Sequence, residues 1–97
     1  MSERIKKMQK VILDGRNMTD KDATHEYIKN QFVFPEYYGG NLDALFDCLT
    51  EIETETEIQI KDKKQMSEYL GDYAEALVDT IRDAMQENPN LQLTESE

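Results

Sequence analysis

The sequence predicts a small α/β fold: a three-stranded parallel sheet packed with about four helices. Three observations lead to it. Short β-branched or alternating apolar runs occur at "KVILDG" (10–15), around Ile58 and Ile60, and at "LQLT" (91–94). Each gap between them holds two helical patterns, and connections of that length join parallel strands by right-handed crossovers. At 97 residues the chain suits one domain over 1–97, with one modest core and no deep site between two lobes.

The first strand ends at Asp14-Gly15, a turn signal. In "MTDKDATHEYIKNQF" (18–32), Thr19 or Asp20 can cap a helix whose apolar side carries Ala23, Tyr27 and Ile28. Pro35 ends that segment and biases Phe34 away from helical geometry. Gly39-Gly40 allows a sharp turn, after which Asn41 caps a second helix running to about Glu51. Leu42, Leu45, Phe46 and Leu49 form its apolar stripe at i, i+3, i+4 and i+7.

"IETETEIQIKD" (52–62) alternates apolar or Thr positions with charged ones, as a loop leading into a strand would. That alternation is stronger than a parallel strand buried on both faces should show. "KKQMSEYLG" (63–71) forms a short helix stopped by Gly71. The strongest helical signal runs from Asp72 to Asn88, with Tyr73, Ala74, Leu77, Val78, Ile81, Ala84 and Met85 on one stripe. Asn88-Pro89 stops it.

Charge is the dominant global feature: 11 basic against 21 acidic residues give a net charge of −10. Residues 1–16 run the other way, with five Lys or Arg against two acids, and a basic extension spans about 1–8. So acidic a surface repels phosphates, which argues against direct binding to nucleic acid or an anionic membrane and favours a basic partner. No run approaches the ~20 apolar residues of a membrane span, and the N-terminus lacks the apolar core of a signal peptide. The lone Cys48 cannot form an internal disulfide. These features predict a cytoplasmic protein, with Cys48 as a small buried hydrophobe.

Chemistry-bearing motifs are scarce. There is no GxxxxGK, GxGxxG or HExxH pattern, and "DGRNMTDKD" lacks the acid spacing of a calcium loop. His25, the only histidine, has neither a second histidine for zinc nor a nucleophile beside it, so a structural or surface role is expected. No metal or cofactor is implied.

What stands out is a pair of acidic ladders. Asp43, Asp47 and Glu51 recur every four residues along the second helix, and Asp79, Asp83 and Glu87 do so along the long one. Like charges at that spacing cost a helix roughly 0.2–0.5 kcal/mol per pair. Arg82 offsets part of the second ladder, and neither has the alternating lysines of an ordinary salt-bridged face. Carboxylates exposed on a helix lack the desolvation that splits the pKa values of a catalytic acid and base, so Asp43 and Asp47 do not suggest an enzyme.

The segment "PEYYGGNLDALFDCLT" (35–50) resembles the signature of the barstar family, intracellular inhibitors of secreted ribonucleases of the barnase type. The likeness extends from the strand at Lys10 through His25 to "LQL" near the C-terminus, strongest in the signature. It implies the same three-stranded parallel sheet with flanking helices. It also implies partner contacts at Tyr37, Gly39, Asn41, Leu42, Asp43, Phe46, Asp47, Ile52, Asp83 and Glu87. Asp47 matches the residue that enters the nuclease active site. Asp83 stands where the family has a longer Glu, Gly40 replaces an acid, and Phe46 and Ile52 replace tryptophans, so the contact surface has changed.

The resemblance implies a barnase-like ribonuclease as partner and a protein that is monomeric when free. A ribonuclease cleft is lined with cations that hold a phosphate, and a carboxylate on a rigid helix can take the phosphate's place. The alternative is an immunity or phosphate-mimic protein directed at another basic toxin or nucleic-acid-binding protein.

Overall fold

The computed structural model describes residues 8–97, so all but the last residue of the expected basic extension lies outside the described residues. Strand β1 (Gln9–Asp14) leads through a short 3-10 turn (Gly15–Asn17) to helix α1 (Lys21–Phe32) and helix α2 (Leu42–Thr50). Then follow β2 (Thr56–Lys61), α3 (Lys63–Leu70), α4 (Asp72–Glu87) and β3 (Leu91–Glu95). The sheet is parallel throughout, in the order β1-β2-β3, with Val11 opposite Ile58 and Ile58 opposite Leu93.

The strand order explains the alternation of β2. Right-handed crossovers between consecutive neighbours place both helical layers on one side of the sheet. Thr56, Ile58 and Ile60 are therefore buried, while Glu57 and Gln59 are only half-buried on the other face and Lys61 is exposed. Central position in a parallel sheet does not here mean burial on both faces. The core joins Val11, Leu13, Ile58 and Ile60 of the sheet to Ile28, Leu45, Leu49, Leu77, Val78 and Ile81 of the helices. The outer edge of β1 is covered by α1: the Gln31 side-chain amide donates to Ile12 O at 2.9 Å, and Asp14 N donates to the Tyr27 hydroxyl at 3.0 Å. A paired edge is not a template for another strand.

Helix ends follow the local chemistry. Asp20 caps α1 by accepting from Ala23 N at 2.8 Å, and Asn41 caps α2 by accepting from Ala44 N at 2.7 Å. Gly71, at φ +60°, separates α3 from α4. The buried face of α1 differs from the expected one: Thr24, His25, Ile28 and Phe32 are buried, whereas Ala23 and Tyr27 are half-buried. His25, Ile28 and Phe32 sit at i, i+3 and i+7, so the apolar stripe includes the histidine.

Candidate functional site

The segment between α1 and α2 turns two adjacent tyrosines in opposite directions. Tyr37 is 82% exposed, among the most exposed large hydrophobic side chains described, while Tyr38 is half-buried. Tyr38 rests against Phe34, with ring centroids 5.1 Å apart, and Phe34 stacks on Phe32 at 4.9 Å. Gly40, at φ +70°, lets the chain turn back into Asn41.

Behind this loop lies a group of side chains that sequence reasoning left unconnected. His25, only 4% exposed, has Nδ1 at 2.7 Å from the Tyr38 hydroxyl and Nε2 at 2.6 Å from the Tyr73 hydroxyl. Three elements meet there: α1, the loop and the first turn of α4. Burial pushes the imidazole pKa below its ordinary value, with Asp22 acting the other way, and burial raises both phenols. His25 is thus a neutral imidazole bonded on both sides by protonated phenols. The spacing of His25 to Ile28 and Phe32 was the available signal; pairing it with Tyr38 and Tyr73 needed the fold.

This burial has a testable consequence. Because the folded-state pKa lies below the unfolded value of about 6.5, the unfolded chain takes up the proton first as pH falls. Stability is lost as pH drops through that window. Urea unfolding should therefore show the stability advantage of the natural protein over His25→Gln narrowing between pH 7.5 and 5.5. An advantage that stays constant would mean that His25 titrates alike in both states.

Along α2, Leu45 and Leu49 point into the core, and Leu42, Phe46 and the following Ile52 are half-buried against it. Asp43, Asp47 and Glu51 are exposed. Asp47 shares one surface hollow with Tyr37, Tyr38, Gly39 and Cys48. An adjoining hollow brings Tyr37 and Cys48 together with Ile52. Cys48 is half-buried rather than fully buried, because its side of α2 faces this loop instead of the core; burial raises its thiol pKa.

Helix α2 packs along α4, and their ends are tied by Asn88. Its buried side-chain amide donates to Leu49 O and Ile52 O, both at 2.9 Å, capping carbonyls at the end of α2. The sequence marked Asn88 only as a helix stop. Asn88→Ala removes these two bonds and leaves Leu49 O accepting from Ile52 N and Ile52 O from the Asn90 side-chain amide, each at 3.3 Å. At about 0.5–1.5 kcal/mol net per bond, the loss is about 1–3 kcal/mol. Urea denaturation should show a loss in that range; no loss would mean that the donors that remain, Ile52 N and the Asn90 amide, suffice.

Asp83 and Glu87 are exposed on α4, outside the hollow that holds Asp47. Arg82 does little for them: it reaches Glu95 at 2.6 Å and Asp79 at 3.5 Å. Among the described residues, Asp43, Asp47, Glu51, Asp83 and Glu87 form no ion pair. Neither α2 nor α4 has a basic residue in its last turn, so both ladders run into the negative ends of helix dipoles. Repulsion opposes both ladders, and the dipole opposes their last members, Glu51 and Glu87, while it favours Asp43 in the first turn of α2. Among the described residues, no three His, Cys, Asp or Glu side chains converge as metal ligands. What the surface offers is a row of uncompensated carboxylates on a rigid helix beside an exposed phenol, suited to guanidinium and ammonium groups.

Residues 8–94 match the family described as "Barstar (barnase inhibitor)". A relative from Bacillus subtilis (strain 168), named "Putative ribonuclease inhibitor YrdF", is 37% identical over 81 residues, covering 82% of this chain and 89% of the relative.

Proposed function

This chain belongs to the barstar family, and from that premise we propose that it is an intracellular inhibitor of a barnase-like ribonuclease. The observation that carries the reading is the unpaired acidic row of α2, held rigidly beside the exposed Tyr37. Asp47 enters the cationic cleft and takes the place of the scissile phosphate, accepting charge-assisted hydrogen bonds. Tyr37 and Gly39 flank it in the same hollow, and Ile52 extends the contact at the rim. Asn41 orients the start of the helix through its cap, Leu42 and Phe46 seat it on the core, and Asp43 adds charge in the first turn.

Asp83 and Glu87 on α4 add the outer contacts. The surrounding charge accelerates encounter with a basic partner. The protein blocks a catalyst without being one, and it works as a monomer with no cofactor.

Titrating a purified barnase-type ribonuclease with this protein tests the reading. Stoichiometric inhibition is expected, with association slowing as salt rises from low to physiological strength, because exposed charges are screened. If the nuclease is untouched while another basic toxin of the same host is bound, the target is that toxin instead. Gly40, Phe46 and Ile52, where the chain departs from the family signature, then become the positions to exchange.

A further inference from the structure

We propose that His25 is a positioning residue for the partner-binding loop: through the Tyr38 hydroxyl it anchors residues 35–40 to α1 and α4 and so holds Tyr37 ready for the partner. The binding part of this inference rests on the ribonuclease-inhibitor reading; the anchoring part does not.

The geometry is specific. Within the segment joining α1 to α2, Tyr38 is the side chain that reaches back to a buried polar partner, and His25 is that partner at 2.7 Å. The second nitrogen is held by Tyr73 at 2.6 Å, so the ring bonded to Tyr38 is itself fixed to another helix. The imidazole can donate on one side and accept on the other, and each phenol can do either, so both bonds form in one neutral state. The loop's other support is the apolar packing of Tyr38 on Phe34 and of Phe34 on Phe32, with local polar contacts. Phe34 N donates to Lys29 O at 2.9 Å, Tyr38 N donates to Pro35 O at 3.0 Å, and Lys29 meets the exposed Glu36 at 3.2 Å. The histidine is what holds the Tyr38 hydroxyl. Tyr38 faces inward and Tyr37 outward, so fixing one fixes the direction of the other.

An aromatic side chain on a wandering loop must be ordered when it binds, and that ordering weakens association. Anchoring Tyr38 removes this cost beforehand. His25 touches no partner in this scheme; it acts through Tyr38 on Tyr37.

The test compares His25→Leu, Tyr38→Phe and the double variant in two measurements. Without any partner, amide hydrogen exchange should show the Tyr38 amide exchanging at least tenfold faster in each variant, while the Ile58 and Ile60 amides of β2 follow global stability alone. With a barnase-type ribonuclease, each single variant should bind roughly three- to tenfold more weakly. The double variant should lose little more than either one, and the losses should vanish in a Tyr37→Ala background.

Unchanged exchange at Tyr38 overturns the anchoring. Faster exchange with losses that persist beside Tyr37→Ala overturns the route through Tyr37. Faster loop exchange in a protein that binds no barnase-type ribonuclease leaves the anchor standing and overturns the ribonuclease reading, with the binding role of His25.

Discussion

Asp47→Ala is expected to weaken binding to a barnase-type ribonuclease by roughly 30-fold to several thousandfold. Truncating one partner of a buried, hydrogen-bonded charge pair costs about 2–5 kcal/mol. In the proposed complex, the alanine leaves the cations of the phosphate site desolvated and without their anion. The free protein should not suffer. Asp47 is exposed, forms no ion pair among the described residues, and lies four residues from both Asp43 and Glu51. Removing it relieves repulsion along the helix. Melting temperature should hold or rise slightly while inhibition collapses, a combination that separates a functional carboxylate from a structural one. Undiminished inhibition would place the phosphate surrogate elsewhere on the surface and leave family membership intact.

The second large effect concerns stability. Gly15→Ala places a methyl group 2.2 Å from the carbonyl oxygen of Asp62 and 2.9 Å from the β-carbon of Met66. A backbone oxygen cannot swing aside as a flexible side chain would. This one is also fixed: Asp62 O accepts from Met66 N at 3.2 Å at the start of α3, and Asp62 already sits at φ +52°. The turn after β1 and the start of α3 must move apart, disturbing Met18 and Met66, both fully buried. Overpacking of this kind costs about 1–3 kcal/mol, occasionally more. Against backbone the upper end applies, lowering the melting temperature by roughly 10–20 °C for a domain of this size. A thermal melt read by circular dichroism decides it: an unchanged midpoint would show that α3 shifts freely.

These two residues mark opposite ends of what the sequence allows one to read. The expectation for Asp47 comes from its place in the signature and from a ladder spacing that repulsion disfavours. Gly15 was read as half of a turn signal, and its actual reason, contact with the β2–α3 junction, lies far along the chain. His25 and Asn88 belong with Gly15. Each carried a local signal, a place on an apolar stripe and a helix stop, but their partners Tyr38, Tyr73, Leu49 and Ile52 sit on other elements.

By itself the sequence determined the number and order of strands and helices, the caps at Asn41 and Gly71, and the acidic faces of α2 and α4. Those features depend on periodicity, on side chains bonding their own nearby backbone, and on charge, all encoded within a few residues. Only the tertiary structure decided that both helical layers lie on one face of the sheet, which gives β2 its half-solvated alternation. It likewise decided that Arg82 turns to Glu95 and leaves Asp83 and Glu87 uncompensated, and that Tyr38 turns inward to His25 while Tyr37 turns out. Such choices are settled between side chains distant in sequence, where burial requires each polar group to find a partner and leaves the direction of approach to the packing of whole elements.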